Sequence, residues 1–159
     1  MKETNLEKIK IMFVCYGNIC RSPMAEFVFK DILKKNNLED KFYVSSSATS
    51  PFEAGMSVHH GTKTKLNSLG ISTEGKFSVP FKKSDYEEYD YIIGMDAMNI
   101  KNILKIVGED KENKVYKMMS FANLDKDVAD PWYTGDFDKT YDDIFLGCTK
   151  LFEKLTNKE

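Results

Sequence analysis

Arginine is almost missing from this chain: among 23 lysines and arginines, Arg21 is the sole arginine. Histidine is nearly as scarce. His59 and His60 stand side by side without metal-ligand spacing, which reads as part of a surface helix and gives no metal site. The three cysteines are too few, and odd in number, for a disulfide scaffold in 159 residues, so free thiols in a reducing compartment are expected. Long apolar runs are absent as well. The longest, Ile11 to Cys15, falls far short of the roughly 20 residues a helix needs to cross a bilayer. The charged stretch Met1 to Lys10 lacks the apolar segment of a signal peptide, so a cytoplasmic protein is expected. Excess charge of one sign is missing too. A formal net charge of -2 creates no field for nucleic acid or an anionic membrane, and Lys34-Lys35 and Lys82-Lys83 read as solvated faces. With no repeat, low-complexity tract or linker, and with 42% apolar and 30% charged residues, the chain reads as one globular domain over residues 1–159.

The periodic signals alternate strand and helix. Ile9 to Val14 is nearly continuous in apolar residues, as in a strand buried on both faces of a parallel sheet. Beyond it, Ser22 can cap and Pro23 can open a helix running to about Asn36. Phe42 to Ser47 reads as a strand, and Ser57 to Leu69 as a helix stopped by Gly70. Tyr89 to Met95 reads as a third strand, Asp96 to Val107 as a helix that Gly108 ends, Val115 to Met118 as a short fourth strand, and Phe137 to Leu155 as the last helix. This order predicts an α/β domain whose parallel sheet has helices on both faces, with ligands bound beyond the carboxyl ends of the strands.

The lone arginine lies six residues after a cysteine, in Cys15-Tyr16-Gly17-Asn18-Ile19-Cys20-Arg21-Ser22-Pro23. Guanidinium is a planar fork matched to two oxygens of a phosphate or carboxylate, which lysine cannot imitate. A tight turn between a strand and a helix can aim successive backbone N–H groups into one concavity at the positive end of the helix dipole. Gly17 supplies a permissive backbone for such a loop, and Asn18 tolerates left-handed dihedrals. With a single glycine and no Gly-Lys-Ser/Thr, neither the dinucleotide fingerprint nor the Walker loop fits. Alone, Cys15 would read as a small residue ending a strand. Set among the loop amides, the helix start and Arg21, each of which favours a thiolate, it reads as a nucleophile that attacks phosphorus and leaves a phosphocysteine for water to hydrolyse. Arg21 and the amides would hold the equatorial oxygens of the phosphoryl group.

The leaving oxygen needs a proton donor. Asp130-Pro131-Trp132-Tyr133 offers one, because Pro131 restricts Asp130 to an extended backbone and thereby fixes where its carboxyl points. Trp132, the only tryptophan, and Tyr133 supply flat faces between which an aryl ring could lie. A carboxyl beside a bound phosphate favours its neutral form, which gives the pair of thiolate and acid that this chemistry requires. Asp125, Asp127 and Asp136 are nearby competitors without the proline constraint. Asp96 reads as a helix N-cap, and Cys148 as a core residue of the last helix.

In these residues, together with Ser46-Ser47-Ala48 and Tyr89 to Asp96, the chain resembles the low-molecular-weight protein tyrosine phosphatases over nearly its whole length. The resemblance implies a four-stranded parallel sheet, a phosphate-binding loop after the first strand, no metal and no cofactor. It assigns Cys15 as nucleophile, Arg21 as phosphate fork, Asp130 as general acid, and Ser22 as a hydroxyl donor to the thiolate. Asn18 would shape the loop and bond toward Ser47. Tyr16, Phe52, Trp132 and Tyr133 would line the cleft, and Gly17, Ile19 and Cys20 would complete the phosphate loop. The implied partners are tyrosine-phosphorylated proteins or small aryl phosphates, and inorganic phosphate or other oxyanions in the loop. The family also implies that Cys20 can trap oxidised Cys15 as a disulfide. Where many members carry a histidine ahead of the third strand, this chain has Glu74-Gly75-Lys76, so part of the supporting network is absent or remade. Trp132 replaces a usual tyrosine.

Three rivals differ by named residues. Arsenate reductases of this fold use two further cysteines after the third strand, and Asp96 to Gly108 has none. Protein arginine phosphatases usually place threonine where this chain has Ile19. A non-catalytic phosphate-binding module would need no Asp130.

Overall fold

The apolar run at Ile9–Cys15 forms the first strand, β1, of a four-stranded parallel sheet in the computed structural model, which describes residues 8–156. The charged stretch ahead of residue 8, and with it the start of the expected 1–159 domain, lies outside the described residues. β1 pairs with β2 (Phe42–Ala48) on one side and β3 (Tyr91–Gly94) on the other, and β4 (Val115–Lys117) pairs with β3, giving the order β2-β1-β3-β4. Its central place explains its composition. Ile11, Phe13 and Cys15 face a core shared with α1 (Arg21–Lys35) and α6 (Phe137–Thr156), while Met12 and Val14 face a second core with α3 (Asp85–Glu88) and α4 (Ala97–Val107). Chain neighbours thus leave β1 toward opposite sides of the sheet, which opens a crevice at its carboxyl end. The loop of residues 16–20 starts there.

Three elements depart from expectation by more than one residue at an end. α1 begins at Arg21, one residue before the serine expected to cap it; Cys20 occupies the N-cap position with no side-chain cap bond. The Ser22 hydroxyl is drawn instead to the Cys15 sulfur. α2 spans only His60–Asn67 instead of the expected 57–69, because Ser57 is taken up by an antiparallel bridge to Phe77. His59 therefore precedes the helix and caps it, accepting from Gly61 N at 3.0 Å. The third strand is four residues long, trimmed at both ends from the expected Tyr89 to Met95. Two 3-10 turns (Glu39–Lys41 and Met118–Ala122) and the four-residue helices α3 and α5 (Pro131–Thr134) carry too little periodicity to be read from sequence.

α2 crosses α6 closely at Gly61, where an added Cβ would lie 2.3 Å from the Phe137 ring. Gly61→Ala gains at most about 1 kcal/mol of helix propensity. Forcing the ring aside costs about 1–3 kcal/mol. The variant is expected to unfold at lower urea concentration with an unchanged m-value.

Candidate active site

The loop after β1 is turned inside out by its surroundings. Its carbonyls point outward and are claimed there: Cys15 O by Thr49 N at 3.0 Å, Tyr16 O by Ser50 N at 3.0 Å, Gly17 O by Ser78 Oγ at 2.8 Å, Ile19 O by His59 N at 2.8 Å and Cys20 O by Thr62 Oγ1 at 3.1 Å. The alternate ends of the same peptide groups are left facing the inside of the turn. Among the described residues nothing accepts from the N–H groups of Gly17, Ile19 or Cys20. Asn18, at φ 57°, provides the left-handed residue that closes the turn. Gly17 does not use its freedom for a positive φ; its missing side chain instead leaves room for the Glu53 carboxylate, 3.3 Å from where a Cβ would stand.

The Cys15 sulfur sits on the floor of this concavity, 3.1 Å from Ser22 Oγ, and accepts from the backbone N–H groups of Asn18 at 3.3 Å and Ser22 at 3.4 Å. Two fixed backbone donors and one hydroxyl thus converge on the sulfur. Cys20 is buried in the same loop. Burial, followed by the charge of Cys15, pushes its thiol up to about 12, so it rests protonated. Cys148 lies in the core as expected, its thiol pushed up by burial alone.

Arg21 is 3% exposed and firmly oriented. Its Nη1 donates to Asp96 Oδ2 at 2.8 Å and to Val128 O at 2.8 Å, and its Nη2 lies 3.5 Å from Asp130 Oδ2. Burial opposes its charge, but Cys15, Asp96 and Asp130 outweigh that and raise its pKa above the ordinary value. Asp96 was expected only as a cap, and it does cap α4, accepting from Asn99 N through Oδ1 at 2.7 Å. Its second oxygen is what holds Arg21. Nothing in the sequence distinguishes the two oxygens of one carboxylate.

Asp130 enters the site from the opposite side. Pro131 holds it extended, at φ -85° and ψ 111°, and its Oδ1 accepts from Trp132 N at 3.1 Å while Oδ2 faces Arg21. The segment before it is fastened at three points: Val128 N to Met95 O at 2.9 Å, Arg21 to Val128 O, and Thr140 Oγ1 to Ala129 O at 3.1 Å. The competing carboxylates are engaged elsewhere, Asp125 and Asp127 with Lys117 and Asp136 with Lys139 N.

A cavity of about 300 Å³ joins Cys15, Arg21 and Asp130, walled by Tyr16, Ile19, Trp132 and Tyr133. Trp132 rests edge-on against the His59 ring at 5.6 Å, and His59 stacks on Phe137 at 5.4 Å, so this histidine props the wall where a surface-helix residue was expected. Two expected members are misplaced. Phe52 is 82% exposed and outside the wall; Glu53 and Met56, which follow it in the same turn, line the cavity. Ser47 was expected to meet Asn18, but alternation along β2 turns its hydroxyl to Met12 Sδ at 3.0 Å on the far face. Ser46 is the residue that meets the Asn18 amide, at 3.0 Å.

This arrangement can seat a tetrahedral oxyanion over a sulfur and carry a proton to one of its oxygens. Residues 10–159 match the model of the low molecular weight phosphotyrosine protein phosphatase family. The chain belongs to this family. It is 35% identical over 153 residues to a low molecular weight protein-tyrosine-phosphatase of Bacillus subtilis, YfkJ, covering 95% of this chain and 98% of that one. The YfkJ crystal structure superposes with a TM-score of 0.91 over 96% of this chain and 97% of its own. SP-PTP, the low molecular weight protein tyrosine phosphatase of Streptococcus pyogenes, is 39% identical with a TM-score of 0.84, covering 94% and 95% of the two chains. The fold also extends to DARP, a Drosophila arginine phosphatase, at 25% identity and a TM-score of 0.86 over 95% and 100%. Family membership accounts for the phosphate loop and the sheet behind it. Because phosphatases for two different phosphoryl acceptors share the fold, substrate choice has to be argued from the cavity walls.

Proposed function

We propose that this phosphatase hydrolyses phosphotyrosine through a phosphocysteine. The observation that carries the reading is the single cavity in which the Cys15 sulfur, the Arg21 guanidinium and the Asp130 carboxyl meet beneath aromatic walls. The thiolate attacks phosphorus in line. The P–O bond to the aryl group breaks as Asp130 gives its proton to the departing phenolic oxygen, while the loop amides and Arg21 hold the equatorial oxygens. Asp130, now a carboxylate, takes a proton from water that attacks the phosphocysteine, and the Ser22 hydroxyl stabilises the returning thiolate. Tyr16, Trp132 and Tyr133 supply the ring-binding faces, and Ile19 contributes an apolar wall that suits an aryl ester better than a guanidinium.

The test is hydrolysis of aryl phosphate, a phosphotyrosine peptide and phosphoarginine, side by side in EDTA. Phosphotyrosine is expected to be preferred, with a bell-shaped pH profile weighted to the acid side; selective hydrolysis of phosphoarginine would overturn the reading. Asp130→Asn is expected to lower kcat by about 10²- to 10⁴-fold for alkyl or phenyl leaving groups. The loss should shrink for nitrophenyl esters, whose leaving group needs little help. Equal losses for both would remove Asp130 from the acid role.

The same proposal places the enzyme in the cytoplasm, in keeping with three free thiols. It also makes the loop redox-sensitive. Peroxide converts the Cys15 thiolate to a sulfenic acid, the Cys20 thiol displaces water to form a disulfide, and cellular thiols restore both residues.

A further inference from the structure

Both histidines of the chain and its single tryptophan meet at one edge of the cavity. The His59 ring stacks on His60 at 4.5 Å and on Phe137 at 5.4 Å, and it meets Trp132 edge-on at 5.6 Å with an interplanar angle of 78°. The main chain of the same residue reaches the phosphate loop, its N–H donating to Ile19 O at 2.8 Å. His59 thus touches both the loop that would seat the phosphate and the aromatic that walls the cavity, and it caps α2.

The backbone sets the proton state of this ring. Nδ1 accepts from Gly61 N at 3.0 Å, so Nδ1 carries the lone pair and the ring hydrogen is on Nε2. A proton on Nδ1 would bring two donors face to face, at the positive end of the α2 dipole and beside the stacked His60. Against these three penalties an imidazolium gains only its attraction for one indole. Burial, followed by His60, accordingly draws the His59 pKa down. Charged groups on the neighbouring elements are engaged elsewhere: Asp138 of α6 with Lys65, Asp136 with Lys139 N, Asp130 with Arg21 and Arg21 with Asp96, while Cys20 stays a neutral thiol. Once protonated, the ring has to turn away from Gly61, and its contacts with Phe137 and Trp132 turn with it.

We propose that His59 is a positioning residue for recognition of the substrate ring: its neutral imidazole, pinned by the cap bond to Gly61, holds Trp132 in place as a wall, and acid releases that wall. This inference rests on the reading of Trp132 as a face for the substrate ring. Acid then weakens the hold on the aryl part of a substrate and leaves the hold on its phosphoryl group, because the loop amides and Arg21 are fixed by contacts that do not pass through the imidazole.

The experiment uses the full chain, with phenyl phosphate and inorganic phosphate as probes with and without a ring. His59→Asn keeps an acceptor at the cap and removes the imidazole. Its KM for phenyl phosphate is expected to rise about three- to tenfold, with kcat and the inhibition constant of phosphate within about twofold. His59→Phe keeps a ring that cannot gain a proton, so the ratio of the parent's KM to that of His59→Phe should grow by about the same factor between about pH 7.5 and about pH 5. Because Trp132 is the sole tryptophan, its fluorescence reads the contact directly. Followed without ligand in a Cys15→Ser chain, where the nucleophile does not titrate, the emission should change with a midpoint below about pH 6.5. The change should persist when Asp130→Asn is added and vanish when either His59 replacement is added. A KM unmoved in His59→Asn, a constant KM ratio, or an emission change that survives both His59 replacements overturns the proposal. A Trp132→Ala chain that keeps the parent's KM would instead overturn the reading of Trp132 as a wall.

Discussion

Cys15→Ser is expected to lower turnover by on the order of 10⁴-fold or more, as removal of a nucleophile does in other covalent hydrolases. The reason is local. A serine hydroxyl remains protonated at neutral pH, and the side chain in hydrogen-bond contact with position 15, Ser22 Oγ, is itself a hydroxyl and no base. Oxyanion binding should survive within about threefold, because the inward amides and Arg21 owe their positions to contacts outside the sulfur: five outward carbonyls, Asp96 and Val128 O. Titration with inorganic phosphate or tungstate checks the second half, and single-turnover release of phenol checks the first. Turnover that persists in the serine variant would remove the covalent mechanism.

Arg21→Lys should be nearly as damaging, with kcat/KM lower by on the order of 10³-fold although the charge is kept. One guanidinium nitrogen is already spent on Asp96 and Val128 O, which fixes the plane and leaves the rest of the fork to the phosphoryl group. An ammonium has to choose between these tasks. If it stays with Asp96, the transition state loses its paired donors; if it moves to the phosphate, Asp96 loses its cation and Val128 O is left unsatisfied in a buried place. Measured kcat/KM and the inhibition constant of phosphate should therefore both worsen. A variant within tenfold of the parent would show that the loop amides suffice.

What could be read from the sequence was the local chemistry. A continuous apolar strand, a cysteine and an arginine at fixed separation around a turn, and an aspartate stiffened by proline each constrain geometry within a few residues, and all three stand as expected. What could not be read depends on contacts between distant segments. Ser46 and Ser47 are interchangeable in composition, and only the face that β2 turns toward α1 decides which of them meets Asn18. Ser22 looks like a cap because serine commonly is one; the sulfur seven residues earlier outbids the backbone. His59 and Trp132 lie in separate segments, and nothing local to either marks them as partners. Phe52 and Glu53 differ by one step around a turn, enough to exchange solvent for cavity.

The three fastenings ahead of Asp130 have a kinetic meaning. Under the proposed acid role, an aspartate already moored to the segment after β3, to Arg21 and to α6 requires no swinging flap to bring it over the substrate, so the pocket would stand assembled before anything enters. An open, ready-made mouth works on whatever ring fits between its walls and has no closing step in which to reject a wrong protein. Discrimination among phosphoproteins then falls to the outermost aromatics, Trp132 and Tyr133, which remain in contact with water and free to vary without disturbing the machinery below.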